Sequence, residues 1–597
     1  MSGEEQMDHP MGEPVVETVD EPLVETTVEL LNEAMDDAQV EGTAEWQTPR
    51  HPGLWRLVLI GAAAAGLVLA AQFVDGVVHL PLGSAAQGVV ATDEAAVSAA
   101  SPWVTSASVG CPGQYLGVAD DAARAQVGLM AATAPTEVID DPGGGGTPVG
   151  SASLHLTRGG ERDVAADPVE LEVDDPSGAW LQAEGRRAAG AVASQVALST
   201  EPGGRGLSVA ACTGAQEVQW LVGGSGEPGR SEQLVLVNPG ADAVTATVSI
   251  WGADGPVTMT GGGGIVVPPH GQVVQLVDGF APAVESPVIR VEAGGGPVVA
   301  HLGVLSRDGT TDLGSEIVTN AAEPSTDLVL PALPREGTDE DEGAESGPVT
   351  VRLVAPGDQP AVVDLTALTK DGAQRLSSHV TRIPAGHTVD VVLDDLPAGV
   401  NALRIRSDVP VTAGAQSQFL PRSKTAVVVK GEAATKDVKD STKKTTKPPA
   451  KDTGTSTSGP TQAEPLVHPA GDLAWVAASA LHTGPVGIAI PDLSGLPGAE
   501  LTLAVTAVDA VDARLVWLRA DGTTFTDDLD RIPNDSTRTI VVPAAARAVW
   551  VMPEGTAGVA AALHVVGADD LGPFAASTTL PGVPWTRVVT QVQVRTP

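Results

Sequence analysis

The chain has 597 residues and a formal net charge of -41, with 75 acidic against 34 basic residues. A field of this sign repels phosphate, so the composition excludes nucleic acid as a partner. Aromatic residues make up only 3% of the chain, which favours several small cores of Val, Ala and Leu over one large core, in a length that suits several domains.

The first 50 residues form an acidic tail with 14 Asp/Glu and one basic residue, Arg50. Few of its residues are apolar, so it cannot bury enough surface to offset the entropy of folding. The sequence therefore predicts a disordered cytoplasmic tail over residues 1–53.

An uncharged stretch follows the tail and predicts a membrane helix. Residues 57–74 carry no charge, and adding Leu54 and Trp55 extends the stretch to about 20 residues, the length that spans a bilayer. Arg50, His51 and Arg56 precede it, and the next Lys or Arg is Arg124. This asymmetry predicts a transmembrane signal-anchor over residues 54–74, held in the cytoplasmic membrane with the C-terminal body outside. A cleaved signal peptide is the alternative, but the acidic tail is too long and too negative for one.

Two cysteines, Cys111 and Cys212, follow the predicted membrane helix. An even number of cysteines in an oxidising compartment favours a disulfide, with two unrelated buried thiols as the alternative. The bond would close a loop of about 100 residues.

The body is repetitive. Asp-Gly turns occur at Gly255, Gly372 and Gly522, and a proline follows each of them 11–14 residues later. Runs of five to eight residues with alternating apolar and polar positions surround these turns, which predicts antiparallel strands with one buried face. Six or seven strands per roughly 110 residues match an immunoglobulin-like β-sandwich in size. A fourth, more divergent copy is expected before the others.

A segment rich in Lys, Thr, Ser and Pro interrupts the repeats near residues 431–465 and predicts a disordered linker. The fold class predicted is therefore mainly β, with tandem immunoglobulin-like β-sandwich repeats after the membrane helix. The predicted domains of the body are a degenerate sandwich that contains both cysteines, two further repeats, the linker and a C-terminal repeat, at residues 75–216, 217–324, 325–428, 429–466 and 467–597.

No motif for catalysis, cofactor binding or metal binding emerges from the sequence. The chain has no Gly-Lys pair for a phosphate-binding loop and no His-x-His or His-Glu-x-x-His pattern for a metal. Residues 223–226 read Gly-Gly-Ser-Gly, which resembles a nucleophile elbow but has the wrong spacing. The acidic run at residues 339–342 lacks the regular spacing of calcium ligands.

Several loose motifs resemble one family. Cys111-Pro-Gly113, Cys212, Trp220-Leu-Val-Gly223 and Leu236-Val-Asn-Pro-Gly240 are similar to a family of actinobacterial membrane-anchored or secreted proteins of unknown function, over roughly residues 100–425. The resemblance implies a cell-envelope setting and supplies no catalytic residues.

These observations predict a non-enzymatic scaffold or binding protein of the bacterial cell envelope that needs no cofactor. The partner expected is an envelope glycan or another membrane protein. Two alternatives stay open: an enzyme or accessory subunit acting on envelope glycans, and a signalling anchor that uses the acidic tail.

Overall fold

A computed structural model describes residues 104–114, 125–139, 149–165, 167–173, 177–260, 263–335, 346–420, 427–428, 466–467 and 469–585. All of them belong to one compact unit, Leu82–Pro597. The predicted tail (1–53) and membrane segment (54–74) lie outside the described residues. Within the described ranges, no helix is long and apolar enough to cross a membrane.

The described chain is mainly β, and the strands form four successive sandwiches of two antiparallel sheets each. The first sandwich contains β1 (Ser106–Gln114), β2 (Gln126–Ala132), β3 (Ala152–Leu156), β4 (Glu161–Asp163), β5 (Val169–Val173), β6 (Ser177–Glu184), β7 (Val192–Ser199), β8 (Gly206–Ala211) and β9 (Thr213–Gly214). A 3-10 turn at Gly185–Ala188 follows β6.

The second sandwich contains β10 (Val218–Val222), β11 (Arg230–Val237), β12 (Val244–Gly252), β13 (Gly255–Pro256), β14 (Gly264–Val267), β15 (Gln272–Leu276), β16 (Val288–Gly294), β17 (Val299–Asp308) and β18 (Thr311–Val318). A second 3-10 turn, Val277–Gly279, follows β15.

The third sandwich contains β19 (Ser325–Arg335), β20 (Ser346–Val354), β21 (Ala361–Thr369), β22 (Gly372–Ile383), β23 (Thr388–Val392), β24 (Gly399–Phe419) and β27 (Asp472–Ala477), with the short pair β25 (Val427–Val428) and β26 (Leu466–Val467). The fourth contains β28 (Val486–Ala489), β29 (Glu500–Ala507), β30 (Val511–Arg519), β31 (Thr524–Ile532), β32 (Ser536–Val541), β33 (Ala546–Glu554), β34 (Val559–Asp569) and β35 (Gly572–Thr579).

All four sandwiches share one strand order. In the fourth, one sheet runs β28-β33-β30-β31 and the other runs β32-β29-β34-β35, and the main strands of the other three pair in the same pattern. In an immunoglobulin sandwich the seventh strand pairs with the sixth. Here the seventh strand, β34, pairs with the second, β29, so the expected immunoglobulin-like strand order is wrong although the chain does form repeated sandwiches. Because β34 pairs with β29, its other edge is free to form a hairpin with an eighth strand, β35, at the edge of the sheet.

The sequence pattern explains the layers. Along β12, Val244, Ala246, Val248 and Ile250 are buried and face the core, while the residues between them are more exposed. The Asp-Gly turns that mark three repeats place Gly255, Gly372 and Gly522 at positive φ of 108°, 111° and 74°, a conformation that glycine adopts without strain.

The four sandwiches close into a ring. The imidazole of His270 stacks on Trp180 with ring centroids 5.5 Å apart, which joins the second sandwich to the first. Three hydrogen bonds mark the other contacts: Arg352 Nη1 to the Gly224 carbonyl (2.6 Å), Thr537 Oγ1 to the Leu368 carbonyl (3.0 Å) and Trp550 Nε1 to the Gly190 carbonyl (2.9 Å). The last of these brings the fourth sandwich back to the first.

In the fourth sandwich the last strand, β35, lies at the centre of the ring, together with the strands that occupy the equivalent edge position in the other three sandwiches. We call these four edge strands, β8, β18, β27 and β35, the central junction. Every residue of β8 and β27 is buried, because each strand packs against a neighbouring sandwich as well as its own. Gly314 is needed here: it has a φ of 109°, and a Cβ would lie 2.0 Å from Asp472 Oδ1.

The predicted linker interrupts the third sandwich. Strand β27 follows the linker, yet it pairs with the end of β24, with Phe419 opposite Asp472. The equivalent hairpin in the fourth sandwich turns directly from Asp569 to Gly572. Residues 472–477, which the sequence assigns to the C-terminal repeat, therefore complete the preceding sandwich, because Lys/Thr/Ser-rich composition marks a long connection without saying what it connects.

The predicted disulfide is present. Cys111 and Cys212 are bonded and both are buried in the core of the first sandwich. The bond fastens β1 to the chain that leaves β8, across a sequence separation of 101 residues.

Replacing both cysteines by alanine should lower the free energy of unfolding by about 4–5 kcal/mol, since a loop of this length restricts the unfolded chain strongly. Chemical denaturation of the wild type and of the double variant measures the difference. Equal midpoints for the oxidised wild type and the variant would contradict the prediction, and the reduced wild type serves as a control for the loss of two thiols.

Candidate functional site

Two buried carboxylates hold the central junction together. Glu316 on β18 accepts backbone N–H groups from Val209 (3.3 Å), Ile317 (2.9 Å) and Ser577 (3.1 Å), which lie on three different strands. Edge strands leave backbone N–H groups without ladder partners, and buried N–H groups need an acceptor. The carboxylate supplies that acceptor.

Asp472, on β27, is the second carboxylate that accepts backbone N–H groups at the junction. It accepts the N–H groups of Leu207 (3.0 Å), Leu473 (2.9 Å) and Ala575 (3.1 Å). The fully buried guanidinium of Arg205 lies beside it, donates to both oxygens of Asp569 and to three carbonyls, and stacks 3.7 Å from the centroid of the Phe574 ring. Glu316, Asp472 and Arg205 thus link all four strands of the junction through hydrogen bonds.

Both carboxylates have perturbed pKa values. Burial raises the pKa of Asp472 to about 8, against the opposing effect of its three N–H donors and of Arg205. Burial also raises the pKa of Glu316 well above the usual range. Perturbed carboxylates often mark active sites, but these are fully buried and bound to backbone groups, so we assign them a structural role.

The raised pKa of Asp472 predicts a stability that falls as the pH rises. Between the unfolded pKa near 4 and the folded pKa near 8, the folded state holds a proton that the unfolded state has lost. The slope attributable to Asp472 approaches about 1.4 kcal/mol per pH unit at most. The pKa of His564 is lowered by burial to about 4, which gives the opposite slope below pH 6.5, so measurements should run from pH 7 to 9.

Melting curves of the wild type and of Asp472→Asn test this. The wild type should lose stability from pH 7 through pH 8, a fall to which the raised pKa values of Glu232 and Glu316 also contribute. Asp472→Asn should show a shallower fall at a lower overall stability. Asp371→Asn, in an exposed turn, is the matched control and should keep the wild-type slope. Parallel pH profiles for the wild type and Asp472→Asn would refute the assignment.

Cavities lie between sandwiches in the described part of the chain. An acidic cavity of about 380 Å³ lies where the first and fourth sandwiches meet, with Glu170, Glu172 and Asp492 on its wall. A cavity of about 580 Å³ lies at the same interface and carries Arg186 and Arg187. The third, of about 190 Å³, lies between the second and third sandwiches; we call it the seam cavity.

The seam cavity has the densest set of polar groups. Arg352, on β20, is buried and forms a bidentate pair with Asp390 on β23, with Nε–Oδ1 and Nη2–Oδ2 distances of 2.9 Å each. The hydroxyl of Ser286, from the second sandwich, donates to the same carboxylate at 2.8 Å. Gln416, Gln418 and Trp475 complete the wall on the side of the third sandwich.

A loop of the second sandwich forms the opposite wall. It contains the Gly-Gly-Ser-Gly run at residues 223–226, and Gly224 and Ser225 line the cavity. Glu232 lies behind them and accepts the Ser225 N–H at 2.8 Å. Burial raises the pKa of Glu232 to about 7. The run thus belongs to a recess although its spacing is not that of a nucleophile elbow.

The other residues considered at the sequence level fall elsewhere. The acidic run at residues 339–342 lies outside the described residues. In the described ranges no three His, Cys, Asp or Glu side chains are placed to hold a metal ion. Trp475, which precedes the C-terminal repeat in the sequence and is predicted there to be a core or inter-domain anchor, is buried at the wall of the seam cavity. Arg352 and Asp390 belong to no motif in the sequence. A charged residue within an alternating strand was the available signal for Arg352, but such a residue is usually solvated.

The chain is thus a β protein built from four repeated sandwiches with recesses between them. Residues 169–459 match a protein family described as "Family of unknown function (DUF5719)". A comparison with curated proteins found no match. Among solved structures, the Streptomyces avermitilis alpha-L-rhamnosidase complexed with L-rhamnose aligns with 76% of this chain and 54% of its own, at 11% identity and a TM-score of 0.10. The family match covers the described seam residues apart from Trp475.

Proposed function

We propose that this chain is a non-enzymatic, membrane-anchored scaffold or binding protein on the outer side of the cytoplasmic membrane, in the bacterial cell envelope. The observation that carries the proposal is the interlocked ring. Four sandwiches that share buried carboxylates at their centre behave as one body, which suits a protein that presents fixed surfaces and recesses to a partner.

The anchoring half of the proposal rests on the sequence. Residues 57–74 are uncharged, and Arg50 and Arg56 flank this stretch on its N-terminal side, a charge bias that retains the N-terminus in the cytoplasm. The disulfide between Cys111 and Cys212 supports an oxidising compartment for the body, since such bonds are rare in the cytoplasm. Under this proposal the partner is an envelope glycan or another membrane protein.

Crosslinking in native membranes tests the proposal. The full chain, with a photoreactive amino acid placed on the outer surface of the ring, should crosslink to an envelope glycan or a membrane protein. Deleting residues 1–48 should leave that crosslink unchanged. Crosslinks to cytoplasmic proteins alone, or labelling of the ring by membrane-impermeant reagents only after lysis, would overturn it.

The acidic cavity favours one alternative, an enzyme acting on envelope glycans. Glycoside hydrolysis uses two carboxylic groups, one of them with a raised pKa. Burial, and then the negative charge of Asp492, raise the pKa of Glu170 in this cavity. Release of sugar from purified cell wall by the full chain, abolished in Glu170→Gln and retained in Glu137→Gln, would establish this alternative and end the non-enzymatic proposal.

A further inference from the structure

We infer that the seam cavity binds a single neutral sugar residue, such as the end of a glycan chain. The inference extends the proposed function, because a glycan is one of the two partners proposed above. It names a site for that partner, between the second and third sandwiches, and it rests on the geometry of the walls.

The first wall offers a fixed donor and acceptor pair. Arg352 uses four of its five N–H donors, two on Asp390 and two on the carbonyls of Gly224 (2.6 Å) and Pro287 (3.2 Å). One Nη2 donor remains on a guanidinium that cannot move. Asp390 is partly exposed and retains acceptor capacity. A planar pair of this kind can bind two neighbouring hydroxyls of a ring.

The second wall provides amides without partners. Gln416 and Gln418 are two residues apart on β24, so both side chains point to the same face of the sheet. Both are half-buried and line the cavity. Within the described residues neither amide has a hydrogen-bond partner. Each can donate two bonds and accept two.

The floor contains an aromatic ring with an unused donor. Trp475 is 5% exposed, and its indole N–H is buried with no hydrogen-bond partner among the described residues. Arg352 lies over the ring at 5.4 Å from its centroid. Buried indole N–H groups usually find an acceptor, so Trp475 contributes an unsatisfied donor to the wall of the cavity.

Backbone strain marks the same recess. Ser286, which donates to Asp390, has a φ of 54°, and Ala283 on the same loop has a φ of 55°. Residues other than glycine rarely adopt this backbone conformation. It persists where the surrounding structure imposes it, often at binding sites. In this conformation the Ser286 hydroxyl donates to Asp390 at 2.8 Å.

Size and charge define the ligand class. A volume of about 190 Å³ is below the roughly 300–1,000 Å³ of sites for drug-sized molecules, so it suits one small ring. Two arginines and three acids line it, Arg230, Arg352, Glu227, Glu285 and Asp390. This near balance, in a chain of net charge -41, disfavours phosphates and cations and favours a neutral molecule with many hydroxyls.

Titration of the full chain in detergent micelles with methyl glycosides of glucose, galactose, mannose and arabinose tests the inference. Saturation-transfer NMR and calorimetry should detect saturable binding of at least one of them, with a dissociation constant of about 1 mM for so few atoms. Gln416→Leu and Gln418→Leu should each weaken that binding about three- to tenfold, the effect of losing one hydrogen bond.

Gln374→Leu is the matched control, since Gln374 lies exposed on β22 of the same sandwich, and it should bind as the wild type does. The glucuronic acid glycoside controls for charge. The inference fails if no neutral glycoside binds saturably, if only the charged one binds, or if the Gln416→Leu/Gln418→Leu double variant retains full affinity. A chain that binds no glycoside yet crosslinks to a membrane protein would keep the proposed function and lose only this site.

Discussion

Cutting the chain between β24 and β27 should leave the four sandwiches in one particle. Eight of the nine lysines lie in this connection, from Lys424 to Lys451, and the ninth is Lys370. In a Lys370→Arg variant, a protease specific for lysine therefore cuts only there. The two fragments should co-elute in size-exclusion chromatography and separate only in denaturant.

The physical reason is the position of β27. The C-terminal fragment carries this strand back into the third sandwich, where it pairs with β24 and is buried along its whole length. It also carries the fourth sandwich, which contacts both the third and the first. Before the fragments separate, β27 must leave the third sandwich, and the fourth sandwich must lose its contacts with both the third and the first.

A matched excision variant removes the connection without cutting. Val428 pairs with Leu466 at its base, so an Asn-Gly turn can join them. This variant should melt at or a few degrees above the wild type, because the shorter loop lowers the entropic cost of closure by about 2–3 kcal/mol, a gain spread over a large cooperative unit. Separation of the cleaved fragments without denaturant would show that residues 429–465 join two independent domains.

Removing the Glu316 carboxylate should cost more than about 3 kcal/mol of stability. In Glu316→Leu the N–H groups of Val209, Ile317 and Ser577 stay buried and lose their acceptor. Each buried donor left unsatisfied costs about 1–3 kcal/mol. Denaturant titration measures the change.

Glu292→Leu is the matched control. Its side chain is 53% exposed in a surface pair with Arg290, and surface substitutions usually stay within about 0.5 kcal/mol. A Glu316→Leu variant as stable as Glu292→Leu would show that water or rearrangement satisfies the three N–H groups. Fluorescence of Trp475 and Trp550 should change in Glu316→Leu if the ring loosens.

The local sequence pattern was sufficient to predict the strands, but it could not predict the contacts between sandwiches. The alternation in β12 and the Asp-Gly turns at Gly255, Gly372 and Gly522 were sufficient to find three repeats. The equivalent turn of the first sandwich carries Gly159 and Gly160 at positive φ without an Asp-Gly pair, so the turn signal was absent there.

The junction acids could not be recognised from the sequence. Glu316 and Asp472 follow short stretches with glycine, in surroundings that resemble turns as much as strands, and acidic residues are usually solvated. Their burial depends on four strands that are far apart in the chain. The seam cavity is hidden for the same reason, since Arg352 and Ser286 meet only when two sandwiches dock.

The closed ring also limits how this architecture can grow. Open repeat arrays lengthen by duplication because each end offers a free face, which a cap then covers. In this chain the fourth sandwich already contacts the first through Trp550 and Gly190, and Val104 donates to the Trp585 carbonyl where the described ends meet. A fifth copy inserted into the ring would have to break that contact and reopen the centre.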